Sequence, residues 1–178
     1  MTIDPDTGAI AFPSGFAADA GLTQSAFRAG SAFAHARVDE AGVRPWIHYR
    51  LPGGELDGHP LLIDVLFHAE LLVTVTVAAD LYPPGPKDWS NYSLDVEAAT
   101  KDFHDRLLEG QLGAPAESPA VSAAGLTPAQ ATLARPRRWA FAWGAVSSVH
   151  DTKGGGTFLM VQYGDRRAEA ERAFRARK

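Results

Sequence analysis

The chain has 178 residues, of which 46% are hydrophobic and 21% charged, and this is enough apolar material for one buried core. A net charge of −4 and a pI near 5.8 give no basic surface, so the composition argues against a nucleic-acid partner. The absence of cysteine excludes a disulfide framework, a thiol nucleophile and a cysteine-ligated metal, and it fits a reducing compartment.

The N-terminal segment has signals for short elements only. Residues 1–20 are rich in Gly, Pro, Asp and Ala around an apolar stretch at 9–12, which predicts an edge strand within a loose segment. Thr23 is a favourable helix N-cap and Gly30 a favourable stop. A short helix is therefore expected between them.

Alternating apolar and polar residues predict four strands of an antiparallel sheet. These strands are expected over 32–38, 43–51, 61–67 and 71–77. A turn at 39–42 that ends in glycine joins the first two strands, and a reversal at 68–70 joins the last two. The last two strands alternate most regularly, so we expect them at the centre of the sheet.

A long helix is predicted over 94–109, because Ser93 can cap it and acidic residues occupy its first turn. The stripe expected to face the sheet consists of Val96, Thr100, Phe103 and Leu107. The i,i+4 pairs expected on the solvent side are Glu97 with Lys101 and Asp102 with Arg106. His104 falls on the side of Glu97 and Lys101, which indicates a polar network at the surface.

The C-terminal part is predicted to be a hairpin between two helices. Its elements are an Ala- and Pro-rich loop at 113–137, strands at 138–150 and 157–163, a glycine-rich turn at 151–156 and a charged helix from Asp165. Thr127 and Gln130 have the spacing of a capping box, so the loop contains a short helix. Trp139, Phe141 and Trp143 point to one face of a single strand, either as core or as an exposed aromatic platform.

These elements together predict an α+β fold. We expect a curved, mostly antiparallel β-sheet with one long helix and a C-terminal helix packed on one face. All elements are assigned to a single domain that spans 1–178.

The sequence contains no pattern that carries chemistry. The adjacent His–Asp pairs at 104–105 and 150–151 lack the further ligands that a metal site needs, and no nucleophile, phosphate-loop or zinc-helix motif occurs. We therefore expect no catalytic residue, no metal and no cofactor. The longest apolar run, at 71–79, is too short to span a membrane, which predicts a soluble protein of the cytoplasm.

Two stretches carry a resemblance to known proteins. The first contains Trp89, Glu97, His104, Leu107, Leu108 and Gly113; the second contains Trp143, Gly144, Ser147, Ser148, Asp151, Lys153, Gly154 and Tyr163. In these positions the chain resembles a family of small bacterial α+β proteins, some of which are similar to immunity proteins encoded beside polymorphic toxins. The resemblance implies a protein that binds a cognate toxin, and it brings no catalytic residue with it.

The leading hypothesis is therefore a non-enzymatic protein that neutralises a toxin by steric occlusion. Its partner would be the cognate toxin or another protein, without nucleic acid, membrane or cofactor. The residues expected to contact the partner are Asp88, Trp89, Asp151 and Lys153.

Two alternatives come from other classes of protein. One is a small-molecule binding module or a minor enzyme with a pocket between sheet and helix, in which His48, His104 and Asp64 would be the polar groups. The other is a structural subunit of a larger assembly, which would present a large exposed apolar patch.

Overall fold

The N-terminal segment of the protein is ordered into a small sheet. The structure is a computed structural model that describes residues 1–39, 45–85, 89–120 and 122–175. Its first three antiparallel strands are β1 (Thr2–Ile3), β2 (Ile10–Ala11) and β3 (Ala17–Ala18). The apolar residues of this segment that join the central core are Ile3, Ile10, Phe12 and Phe16. The prediction of a loose segment is wrong, because these residues pack against distant parts of the chain.

The main sheet is antiparallel throughout. Its strands are β4 (Arg37–Asp39), β5 (Trp46–Leu56), β6 (His59–His68), β7 (Leu71–Ala79), β8 (Arg137–Phe141), β9 (Gly144–His150) and β10 (Thr157–Tyr163). They lie in the order β4-β5-β6-β7-β10-β9-β8. One row of directly paired residues crosses the sheet and is buried at every position: Tyr49, Val65, Val75, Val161, Val146 and Trp139. This row marks the apolar face that carries the core.

Four α-helices complete the described structure: α1 (Gln24–Ala29), α2 (Leu94–Leu112), α3 (Pro128–Leu133) and α4 (Arg166–Arg175). Thr23, Ser93 and Thr127 cap the first three by accepting a backbone N–H in the first turn. The capping box at Thr127 is confirmed, since Gln130 also accepts the Thr127 backbone N–H. No helix in the described ranges is long and apolar enough to cross a membrane.

The predicted α+β class, the antiparallel sheet, the long helix and the C-terminal helix are confirmed. The two helices nevertheless lie on different faces of the sheet. Helix α2 contacts β9 and β10 on the apolar face, where Leu108 enters the core. Helix α4 lies over the opposite face, beside Asp64, Thr74 and Thr76. That face alternates with the apolar row and is polar, which suits a strongly charged helix.

Helix α2 is rotated relative to the prediction. The polar side chains that it buries are Glu97, Thr100, Lys101, His104 and Asp105. Phe103 and Leu107 are only half-buried. The prediction that Glu97, Lys101 and His104 lie at the surface is therefore wrong. These groups are buried because they find partners on the helix and on neighbouring strands, which offsets the loss of water.

Two strand predictions also need correction. The segment predicted as a strand over 32–38 begins with a 3-10 helix, Ser31–His35, and only its end joins the sheet. The turn predicted for 39–42 lies, beyond Asp39, outside the described residues. The segment predicted as one strand over 138–150 reverses at 142–143 and forms both β8 and β9. Gly144 permits this turn, because its φ is +153° and a Cβ would collide with the carbonyl oxygen of Gln162.

Candidate functional site

Trp89 is the most exposed of the large apolar side chains in the described structure, at 71%. It lies in a 3-10 turn (Trp89–Asn91) just before α2, and its ring centroid is 5.5 Å from that of Tyr92. The ring rests on Gly155 in the loop between β9 and β10. A Cβ at Gly155 would lie 2.9 Å from the Trp89 ring, and the φ of this glycine is +71°. Glycine at this position therefore allows the indole to sit on the loop.

The loop under Trp89 is held by its own hydrogen bonds. The Asp151 carbonyl accepts the Gly155 N–H at 2.7 Å, and the Asp151 N–H donates to the Gly156 carbonyl at 2.8 Å. The Asp151 carboxylate accepts the Lys153 N–H at 2.9 Å. Backbone N–H groups of Lys153 and Gly154 lower the pKa of Asp151. The exposed side chains of Asp151 and Lys153 thus project from a loop that internal hydrogen bonds hold in place.

The structure brings three of the four predicted contact residues to one end of the sheet. Trp89 packs on the loop that carries Asp151 and Lys153. Asp88, the fourth, lies outside the described residues. We refer to Trp89, Tyr92 and the loop at 151–156 as the aromatic patch.

A cleft of about 810 Å³ lies next to the aromatic patch. Gly156 and Thr157, which directly follow Gly155, form part of its wall. Its apolar floor is formed by Leu51, Pro52, Pro60, Leu61, Leu62 and Ala79. Leu62 is 41% exposed there, although it is a large apolar residue on a strand. The cleft and the aromatic patch therefore adjoin at Gly156.

Glu97 provides the acidic end of the cleft. It lies in the first turn of α2 and is only 7% exposed. Its Oε1 accepts the Tyr82 hydroxyl at 2.9 Å, while its Oε2 is 4.0 Å from Nδ1 of His150. Burial and Glu97 raise the pKa of Tyr82 to about 12, so the hydroxyl stays protonated and donates. Within the described ranges, no lysine or arginine lies within 4.0 Å of the Glu97 oxygens.

A second set of buried charges lies further along α2. Lys101 is fully buried, and its Nζ is 2.6 Å and 2.8 Å from the two Asp105 oxygens. Asp105 is in turn 3.2 Å from Nε of Arg137, which also pairs with Glu109. Burial lowers the pKa of Lys101, and Asp105 opposes that shift. These groups form ion pairs with one another and do not line the cleft, which indicates a structural role.

His104 belongs to the same buried layer of α2. Its Nε2 accepts the Ala79 N–H at 3.2 Å, so the ring is neutral with its proton on Nδ1. Burial, with a smaller contribution from the Lys101 charge, lowers the pKa of His104 to about 3. The imidazole therefore acts as a fixed hydrogen-bond acceptor for the end of β7.

The three polar groups of the small-molecule hypothesis do not converge. His48 and Asp64 line a separate cleft of about 430 Å³ under α4. His104 lies on α2, which covers the opposite face of the sheet. The prediction was wrong because alternation along the strands places His48 and Asp64 on the polar face of the sheet, whereas His104 lies on the apolar face. The described residues contain no group of three or more His, Asp or Glu side chains that could hold a metal ion.

The aromatic residues of the hairpin are mostly structural. Trp139 is 2% exposed, and its indole N–H donates to the Gly113 carbonyl at 2.8 Å. Phe141 and Trp143 stack at 5.1 Å, and the indole N–H of Trp143 donates to the Pro5 carbonyl. The core interpretation is correct for Trp139, whereas an exposed platform on one strand is not formed. The residues that sequence reasoning missed are Tyr82, Tyr92 and Gly155, because only the fold brings them to Trp89.

The comparisons with known proteins identify the fold. No family model matches the chain. No curated protein matches it either. Among solved structures, the chain is similar to a chain of Rhs1-CT in complex with cognate immunity protein RhsI1, with a TM-score of 0.54 and 12% sequence identity. The similarity covers 97% of both chains. The protein therefore has an α+β fold that also occurs in that complex.

Proposed function

We propose that this protein is an immunity protein that binds a cognate toxin and neutralises it by steric occlusion. The similarity to a chain of the Rhs1-CT–RhsI1 complex over 97% of both lengths is the observation that carries the proposal. Occlusion requires a complementary surface and no catalytic group or cofactor, so we propose a non-enzymatic role in the cytoplasm.

We propose that the partner contacts Asp88, Trp89, Asp151 and Lys153. Exposed tryptophans are frequent binding hot spots, since they bury a large area at a small entropic cost. Trp89 packs on a hydrogen-bonded loop in the absence of a partner, so less conformational entropy is lost when a partner binds. The charged residues beside it would form the rim and set orientation.

A pull-down tests this proposal directly. The tagged protein is used to capture partners from its native host, together with the product of the adjacent reading frame, and retained proteins are identified by mass spectrometry. We expect one stoichiometric partner with toxin-like chemistry. We also expect the chain alone to leave growth unaffected. A monomer that retains nothing, or a chain that is itself toxic, would refute the proposal.

The role of Trp89 is tested with a matched pair of variants. Trp89→Ala should weaken the complex by at least about 2 kcal/mol, as for a hot-spot residue, while leaving stability within about 0.5 kcal/mol. Leu126→Ala removes an exposed apolar side chain that belongs neither to the aromatic patch nor to the lining of the cleft, and it should leave affinity unchanged. Equal affinities of both variants and the unmodified protein would exclude Trp89 from the interface.

A second candidate is a small-molecule binding protein. The cleft of about 810 Å³ favours it, because ligand pockets occupy roughly 300–1,000 Å³ and are mostly apolar with few polar groups. An empty pull-down together with a saturable small-molecule ligand would favour this function.

A further inference from the structure

We infer that the cleft beside Trp89 binds an extended segment of the partner protein that places an arginine or lysine side chain at Glu97. Because the occupant is assigned to the partner, the assignment rests on the proposed function. The segment would lie along the apolar floor and present its basic group at the end of the cleft that α2 forms.

The charge at Glu97 specifies the basic group. A buried carboxylate is costly unless it is paired and hydrogen-bonded. Here the Tyr82 hydroxyl supplies one hydrogen bond, and the N-terminus of α2 offsets part of the charge. The nearest basic nitrogen in the described structure is Nδ1 of His150, at 4.0 Å from Oε2 and 3.0 Å from the Thr157 hydroxyl. A guanidinium or ammonium group at Oε2 would complete the site.

The shape of the cleft specifies an extended segment. Its lining runs from Arg37 on β4 to Thr157 on β10, across five neighbouring strands. Four strand spacings of about 4.8 Å make it roughly 19 Å long, the reach of about six extended residues. The basic residues of the lining come from one edge of the sheet, at β4, β5 and the 3-10 helix before β4: His35, Arg37 and Arg50. Its carboxylates, Asp80 and Glu97, come from the residue after β7 and from α2. The cleft therefore has a basic end and an acidic end, so it discriminates the direction of a bound chain.

The floor and rim suit the proposed side chain. Arginine and lysine carry long apolar stems, which pack on apolar surface while the charged end reaches a carboxylate. Leu61 and Leu62 provide that surface. Trp89 and Tyr92 stand beside Gly155 at the rim, where a cation also gains from aromatic faces.

The site itself is tested without the partner. N-acetyl-arginine methylamide is titrated into the labelled protein, and amide shifts are followed by NMR, with the uncharged N-acetyl-citrulline methylamide as the matched probe. We expect saturable shifts at Ala79, Tyr82 and Thr157 for the arginine compound only. Glu97→Gln should abolish them, while Glu117→Gln, which changes an exposed carboxylate elsewhere, should not. Scattered shifts, or shifts that persist in Glu97→Gln, would overturn the assignment of the site.

The occupant is tested with the captured partner. Glu97→Gln keeps an acceptor for the Tyr82 hydroxyl, so the fold should be retained, as circular dichroism would verify. We expect it to weaken the complex about tenfold or more, with Glu117→Gln unchanged. If the partner binds Glu97→Gln as tightly as the unmodified protein, the inference fails and the proposed function stands. If no partner binds the unmodified protein, the proposed function fails, and binding of the arginine compound alone would assign the cleft to a small cationic molecule.

Discussion

The buried imidazole of His104 makes folding stability depend on pH. In the folded protein its pKa is about 3, against 6.5 for an ordinary histidine. The folded state therefore binds fewer protons than the unfolded state between these values, and its stability falls as the pH is lowered through this window. The contribution of the neutral His104 to the free energy of unfolding is complete above pH 6.5 and is lost progressively as the pH falls towards 3.

The size of the effect follows from the two pKa values. At pH 5 this histidine is protonated in the unfolded chain, which stabilises the unfolded state by about 1.36 kcal/mol for each pH unit below the ordinary histidine pKa of 6.5. The free energy of unfolding is therefore about 2 kcal/mol lower at pH 5 than at pH 8. His104→Gln keeps an acceptor for the Ala79 N–H but cannot be protonated. The variant should therefore lose about 2 kcal/mol less than the unmodified protein between pH 8 and pH 5.

Urea unfolding of both proteins at several pH values measures this difference. The two curves of unfolding free energy against pH should converge as the solution becomes more acidic. NMR of the imidazole nitrogens should show a neutral ring with its proton on Nδ1 down to pH 5. Parallel curves, or a ring that is charged at pH 6, would refute the burial of a neutral His104.

Three further results are expected. Asp105→Asn leaves the buried Lys101 ammonium without its partner and should cost about 3–5 kcal/mol in denaturant unfolding, whereas an effect below about 1 kcal/mol would mean that Lys101 reaches water. Gly144→Ala forces a Cβ towards the Gln162 carbonyl and should cost about 1–3 kcal/mol; unchanged stability would show that the turn relaxes. Thermal unfolding followed by far- and near-UV circular dichroism should show one coincident transition, as a single domain requires, and two separate transitions would contradict that assignment.

The central strands were predictable because their signals are local. In β6 alternate residues from Leu61 to Phe67 are buried, as the sequence periodicity predicts, and β7 follows the same alternation from Val75 to Ala79. The first half of β7 does not follow it, because a register shift opposite Leu66 and Phe67 buries the four consecutive residues 72–75 and places Leu72 in the core. The cap at Thr127 was predictable for the same reason, since a capping box depends on residues only three apart.

Long-range packing explains what the sequence did not reveal. The N-terminal strands are ordered by contacts such as the Tyr163 hydroxyl with the Gly8 carbonyl, at 3.1 Å and far apart in sequence. The rotation of α2 depends on partners outside the helix, including Arg137 for Asp105 and the Ala79 N–H for His104. No periodicity within the helix identifies such partners.

The candidate site was also predictable from the sequence only in part. The exposure of Trp89 agrees with its prediction as a contact residue, whereas its contact with Gly155 depends on how the turn before α2 and the β9–β10 loop meet. A pocket between sheet and helix was expected as an alternative, but its lining was not, because its floor combines residues of three different strands. Leu62 alternates to the polar face in sequence, yet its exposed side chain lines the cleft.

Neutralisation in cells tests the central claim most directly. The product of the adjacent reading frame is expressed from an inducible promoter, with and without this protein, and growth is recorded. We expect growth arrest by that product alone, full protection by the unmodified protein and reduced protection by Trp89→Ala at equal protein levels. Growth arrest that persists in the presence of the folded, unmodified protein would contradict the account.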